Sequence, residues 1–164
     1  MTTTSRLKSW MPHDSVRPVA RWQDVVAADP DLAAHVRRCF AIRKHATLAT
    51  LRRDGSPRIS GTEVEFDDDG EIYLGMMSGS MKALDLGRDA RLALHCPTED
   101  APEGNPDAWI GDAKIAGLGV EAPAGEHHRF RIDITEVVVT TVSGDHLVIR
   151  SWHPDRGVET RERR

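Results

Sequence analysis

Apolar residues recur at close to helical spacing from Trp22 through Val25, Val26, Ala33, Val36 and Phe40, and the triplet Asp29-Pro30-Asp31 interrupts them. Proline fits the first position of a helix behind an aspartate cap, so two helices meeting at Asp29 are predicted rather than one. Before this run no period lasts. Residues 1–20, with Pro12 and Pro18, read as an N-terminal arm, disordered or loosely docked, with Trp10 as its candidate anchor. Residues 21–164 read as one domain.

Beyond Lys44 the period shortens. His45 to Leu51 is rich in Thr and Leu and leads to an Asp54-Gly55 turn. Arg58 to Phe66 alternates imperfectly up to Asp69-Gly70, and Glu71 to Met77 follows. Two Asp-Gly turns between three strands predict an antiparallel meander. A short helix is expected from Ser78 to Gly87, capped by Ser78 or Ser80 and ended by Gly87. Further strands are expected at Arg91 to His95, Trp109 to Glu121, Phe130 to Val142 and His146 to Trp152, with Ser143-Gly144-Asp145 as a hairpin turn. The tail from Arg156 to Arg164 reads as a solvated end. Many short strands, Gly-rich turns and few helices predict a mainly β (α+β) fold, a closed antiparallel barrel rather than an open sheet.

Composition narrows the classes. The chain has 164 residues, 39% hydrophobic and 29% charged, and no apolar run approaches membrane-spanning length. Its 22 Lys and Arg against 26 Asp and Glu give a net charge of -4, without the basic excess of a nucleic-acid binder. Cys39 and Cys96 cannot form a disulfide scaffold, and the N-terminus shows no signal-peptide apolar region, so a cytoplasmic location is expected, with neither nucleic acid nor membrane as partner. Cys39, late in the second helix, is expected as a small buried hydrophobe rather than a reactive thiol.

Candidate chemistry is sparse. The eight histidines are scattered, with no Cys-x-x-Cys or His-x-x-x-His spacing, so no metal site is expected. Nucleophile elbows, dinucleotide fingerprints and Walker loops are absent. What is left is Ser78 to Lys82: hydroxyls and free backbone N–H groups at a helix start, with a lysine in its first turn, suit a phosphate group. Arg58 opens the neighbouring strand, so two cations are expected to converge on one barrel rim around an anion.

The run from His45 to His95, with its two Asp-Gly turns, Gly55-Ser56-Pro57-Arg58, the Lys82 helix and the strand entry Arg88-Asp89-Ala90-Arg91-Leu92-Ala93-Leu94, resembles the pyridoxamine-5'-phosphate-oxidase-like family, especially its actinobacterial members. Gly111 to Gly117 and Gly144 to Val148 extend the likeness, which covers about residues 22–155. The resemblance implies a six-stranded antiparallel split β-barrel with a few flanking helices. It implies a homodimer with FMN or a deazaflavin (coenzyme F-420) at the subunit interface. By similarity, Arg58, Ile59, Ser60, Gly61 and Thr62 line the ring, while Gly75, Met76, Ser78, Ser80 and Lys82 hold ring edge and phosphate. Trp152 and Arg156 match the Trp and Arg with which the oxidases reach cofactor or substrate, across the dimer or within the chain, with Arg161 as the other match for that arginine.

Three departures qualify the likeness. Met81 stands where the oxidases carry Arg, and Glu63 where they carry Lys. Reversing a charge at a desolvated anion site costs on the order of a kcal/mol or more, which argues against pyridoxamine 5'-phosphate as substrate. Only residues 122–129 stand where many relatives have a helix, which leaves the cleft more open. The leading expectation is an oxidoreductase in which the cofactor performs hydride transfer on a small-molecule substrate and the protein positions it. The alternatives are a non-catalytic flavin, haem or tetrapyrrole binder on the same fold, and a scaffold without cofactor.

Overall fold

The computed structural model describes residues 18–164. Two helices open this portion, α1 (Trp22–Ala28) and α2 (Pro30–Ala41), meeting at Asp29 as the pattern predicts. The Asp29 carboxylate accepts the Leu32 N–H at 2.9 Å and Pro30 supplies the first helical position. Most of the predicted arm, Trp10 included, lies outside the described residues. Its last residue, Ala20, exchanges two backbone hydrogen bonds with Ile134 and so extends the sheet.

Eight strands follow: β1 (His45–Leu51), β2 (Pro57–Phe66), β3 (Ile72–Met76), β4 (Arg91–His95), β5 (Asp112–Ala122), β6 (His128–Ser143), β7 (His146–His153) and β8 (Gly157–Arg163). A third helix, α3 (Met81–Arg88), links β3 to β4. The order β3-β2-β1-β4-β5-β6, closed by pairing of β3 with β6, makes a six-stranded antiparallel barrel. β7 and β8 continue the sheet beyond β6 as two added strands.

Strand alternation fills the barrel. Leu48, Leu74, Leu92, Leu94, Ile115, Phe130, Ile132 and Ile134 point inward and are buried, while their neighbours face outward. Trp22 and Phe40 meet Phe66 edge-on, at centroid distances of 5.1 and 5.7 Å, and this packs α1 and α2 against the barrel. The β5–β6 ladder slips at Ala116/Gly117, where Thr135 has no partner in register. Close approach explains the glycine there: a Cβ on Gly117 would lie 2.3 Å from the Asp133 carbonyl oxygen.

Four local expectations need correction. Gly87 does not end α3; the helix runs on to Arg88, whose side chain reaches back to Asp85. Trp109 does not start a strand. Pro106–Ala108 forms a 3-10 turn, and the Trp109 indole donates to the Glu99 carbonyl at 2.7 Å. Glu71 and Met77 fall just outside β3. The solvated tail is in fact β8, whose Val158 pairs with Trp152.

Candidate functional site

β2 and β3 pair only over Val64–Phe66 with Ile72–Leu74. From there toward Pro57, β2 stays with β1 and leaves β3, and the gap between the two strands is a cleft of about 780 Å³. The cleft is lined by Gly61 to Glu65 from β2, by Gly75, Met76 and Met77 at the end of β3, and by Ser80, Lys82, His45 and His127.

α3 closes one side. Its Lys82 ammonium donates to the Gly61 carbonyl at 2.7 Å, bridging the gap that the strands leave open. Loss of solvent lowers the Lys82 pKa from its ordinary value, with nearby Glu63 opposing that shift. Ser80 occupies the N-cap position of α3 without making a capping hydrogen bond, and its hydroxyl is buried with no partner. At Gly61 and Gly75 a Cβ would meet nothing within 4 Å, so bare backbone faces the cleft there.

The acidic side chains of the wall are paired. Glu63 sits 3.1 Å from the Lys44 ammonium and 3.6 Å from His45, and Glu65 3.2 Å from the Arg129 guanidinium. Lys82 is the one lysine or arginine among the described residues lining the cleft.

Six of the twelve residues singled out from sequence meet here: Gly61, Thr62, Gly75, Met76, Ser80 and Lys82. Arg58, Ile59, Ser60 and Ser78 lie off the wall. Arg58 and Lys82 do not converge on a shared anion position, because Arg58 turns to Asp85 while Lys82 turns to Gly61. Trp152 is buried in the core. Arg156 lines a separate hollow of about 310 Å³ with His153 and Glu136.

His45, Val64, Glu65, Met77 and His127 complete the wall and were not singled out from sequence. Two of them were within reach of the strand period. Glu65 lies two and four residues from Glu63 and Gly61 on one face of β2, and His45 is the cross-strand partner of Glu63.

Several solved structures share this fold. A pyridoxamine 5'-phosphate oxidase-related, FMN binding protein from Nostoc punctiforme PCC 73102 matches with a TM-score of 0.57 and 10% identity, over 90% of this chain and 99% of that one. PhzG from Burkholderia lata 383, solved with tetrahydrophenazine-1-carboxylic acid, matches with a TM-score of 0.62 and 12% identity, over 96% of this chain and 98% of that one. A conserved hypothetical protein from Mycobacterium tuberculosis matches at 0.54 and 17% identity, over 68% and 92% of the two chains. At such identities the likeness is one of fold. No family model matches the chain, and no curated protein matches it.

Proposed function

We propose that the cleft holds a flavin-type cofactor, FMN or the deazaflavin coenzyme F-420, and that a second copy of the chain covers its open side. The observation that carries this reading is the Ser80 hydroxyl, buried in the cleft wall without a partner and two residues from Lys82. A buried hydroxyl left without its hydrogen bond costs ~1–3 kcal/mol, and a phosphate oxygen beside it would remove that cost. FMN is also named for the Nostoc protein of this fold.

Ser80 and Lys82 would hold the phosphate, with the exposed N–H groups at the start of α3 adding to the attraction. Met77 offers an exposed apolar side chain for the ring, and the bare backbone at Gly61 and Gly75 lets a flat group approach closely. Such a cofactor supplies hydride transfer to or from a small organic molecule, and the protein orients the reactants and excludes water. Ile59 and Met77 are 74% and 76% exposed, and with Met81 and Leu84 they form apolar surface on the elements flanking the cleft. A partner subunit would bury it.

His45 and His127 on the cleft wall favour a second reading, a haem or tetrapyrrole binder. One titration separates the two. FMN, coenzyme F-420 and haemin are each added to the purified protein while absorbance and fluorescence are followed. A shifted flavin or deazaflavin band with quenched emission and a Kd below ~100 µM, about -5.5 kcal/mol, is expected. A Soret band with haemin and no flavin response transfers the site to haem. Silence with all three rejects both readings.

A further inference from the structure

β6 changes neighbours partway along its length, and the change leaves a gap in the sheet. Ala20 bridges to Ile134, and the β6–β7 ladder begins only at Val137, paired with Trp152. Between these two points Thr135 and Glu136 line a hollow of about 310 Å³, at the low end of the ~300–1,000 Å³ of small-molecule sites. Thr135 is also the residue that the β5–β6 slip leaves out of register, and bulges of this kind re-aim side chains beside binding sites. Pro18 lines the hollow too, and the end of β7 with the turn after it supplies His153, Asp155 and Arg156. None of these residues lines the cleft between β2 and β3.

The His153 Nε2 donates to the Glu136 carboxylate at 2.9 Å, since a carboxylate only accepts. In the neutral ring Nδ1 is then an acceptor, and it is enclosed without a partner. A buried acceptor left unpaired is destabilising, and a donor on a ligand in the hollow, or a water held between them, supplies what it lacks. Asp155 and Arg156 are exposed on the turn, and neither makes an ion pair among the described residues. The hollow thus sets the acceptors Glu136, Asp155 and His153 beside one guanidinium. A simple anion would meet two carboxylates there and a simple cation would meet Arg156, whereas a molecule carrying both charges suits both. We infer that the hollow is a second ligand site, which takes a small ammonium carboxylate, a free amino acid. Its carboxylate pairs with Arg156, and its ammonium lies toward Glu136 and Asp155 beside His153. The site is independent of the cleft and its ligand.

The test titrates the full chain with each of the common amino acids by calorimetry, follows the His153 ring by NMR, and repeats the titration with the N-acetyl and carboxamide forms of any that binds. The expected result is a Kd of about 1 mM or tighter for at least one amino acid, a shifted His153 imidazole signal, and roughly tenfold or weaker binding of both blocked forms. Arg156→Gln and Asp155→Asn, both on the exposed turn, should each weaken binding about tenfold or more and leave the melting temperature unchanged. Excess FMN should not displace the amino acid. No binding by any amino acid at about 10 mM, blocked forms that bind as tightly as their parent, wild-type affinity in either variant, or displacement by FMN would each overturn the inference. The blocked forms need only the wild-type protein, so they decide the matter if a variant misfolds.

Discussion

The Arg58 Nε donates to Asp85 Oδ2 across 2.6 Å, tying β2 to α3 through a carboxylate that is only 1% exposed. The same carboxylate group accepts from Arg88 and from the Thr50 hydroxyl, each at 2.9 Å. One buried side chain thus anchors the helix that presents Ser80 and Lys82 to both β1 and β2. Arg58 thereby ties the middle of α3 to β2.

Removing the anchor should cost stability. Asp85→Ala leaves two guanidinium groups and a hydroxyl without their acceptor, and a loss of about 3 kcal/mol is expected. Urea unfolding of wild type and variant measures it. A loss under ~0.5 kcal/mol would mean that solvent replaces the carboxylate at little cost.

The anchor also predicts an acid limb. Burial pushes the Asp85 carboxyl up, but hydrogen bonds from Arg58, Arg88 and Thr50 outweigh burial and hold it at about 2, against an ordinary value of 3.8. The unfolded chain therefore binds this proton first as pH falls. The stabilisation is in place above the unfolded value and is lost on the way down to the folded one. The urea midpoint should drop more steeply between about pH 4.5 and 2 in wild type than in Asp85→Asn. Equal slopes would show that other carboxylates govern acid unfolding.

Two glycines should respond in opposite ways. Gly117→Ala drives a methyl against the Asp133 carbonyl, and about 1–3 kcal/mol of destabilisation is expected. Gly75→Val adds bulk where nothing lies within 4 Å, so melting temperature should hold while FMN affinity falls. Melting curves and a binding titration on both variants check the contrast.

Trp152 offers a similar separation. It is 5% exposed within the core and pairs with Val137 and Val158. Trp152→Ala should lower stability by about 3–5 kcal/mol. At a temperature where the variant stays folded, its affinity for FMN should match that of wild type.

Much of this fold was legible in the chain. Asp54-Gly55 and Asp69-Gly70 set the first meander, and Asp29-Pro30 divided the helices, because these residues act locally. β8 escaped because Gly157–Arg163 is an edge strand rich in charged side chains, and only its pairing with β7 defines it. Gly87 misled because a glycine ends a helix only where the backbone turns left-handed, and here hydrogen bonding carries the helix on to Arg88. At the site, Lys82 and Ser80 were legible as a helix start. The turning of Arg58 toward Asp85 was not, since 27 residues of chain separate the partners and no local pattern reports such a pairing.

Whether Ser80 and Lys82 hold the phosphate of a cofactor in the cleft is read from the FMN Kd of wild type, Ser80→Ala and Lys82→Ala, with thermal melts recorded on the ligand-free proteins. Loss of one charged hydrogen bond, about 1.5–3 kcal/mol, predicts roughly 10- to 150-fold weaker binding for Lys82→Ala, with a smaller loss for Ser80→Ala, whose ligand-free melting temperature should not fall because the variant removes an unpaired buried hydroxyl. Binding by both variants as tight as wild type would rule out phosphate anchoring by Ser80 and Lys82.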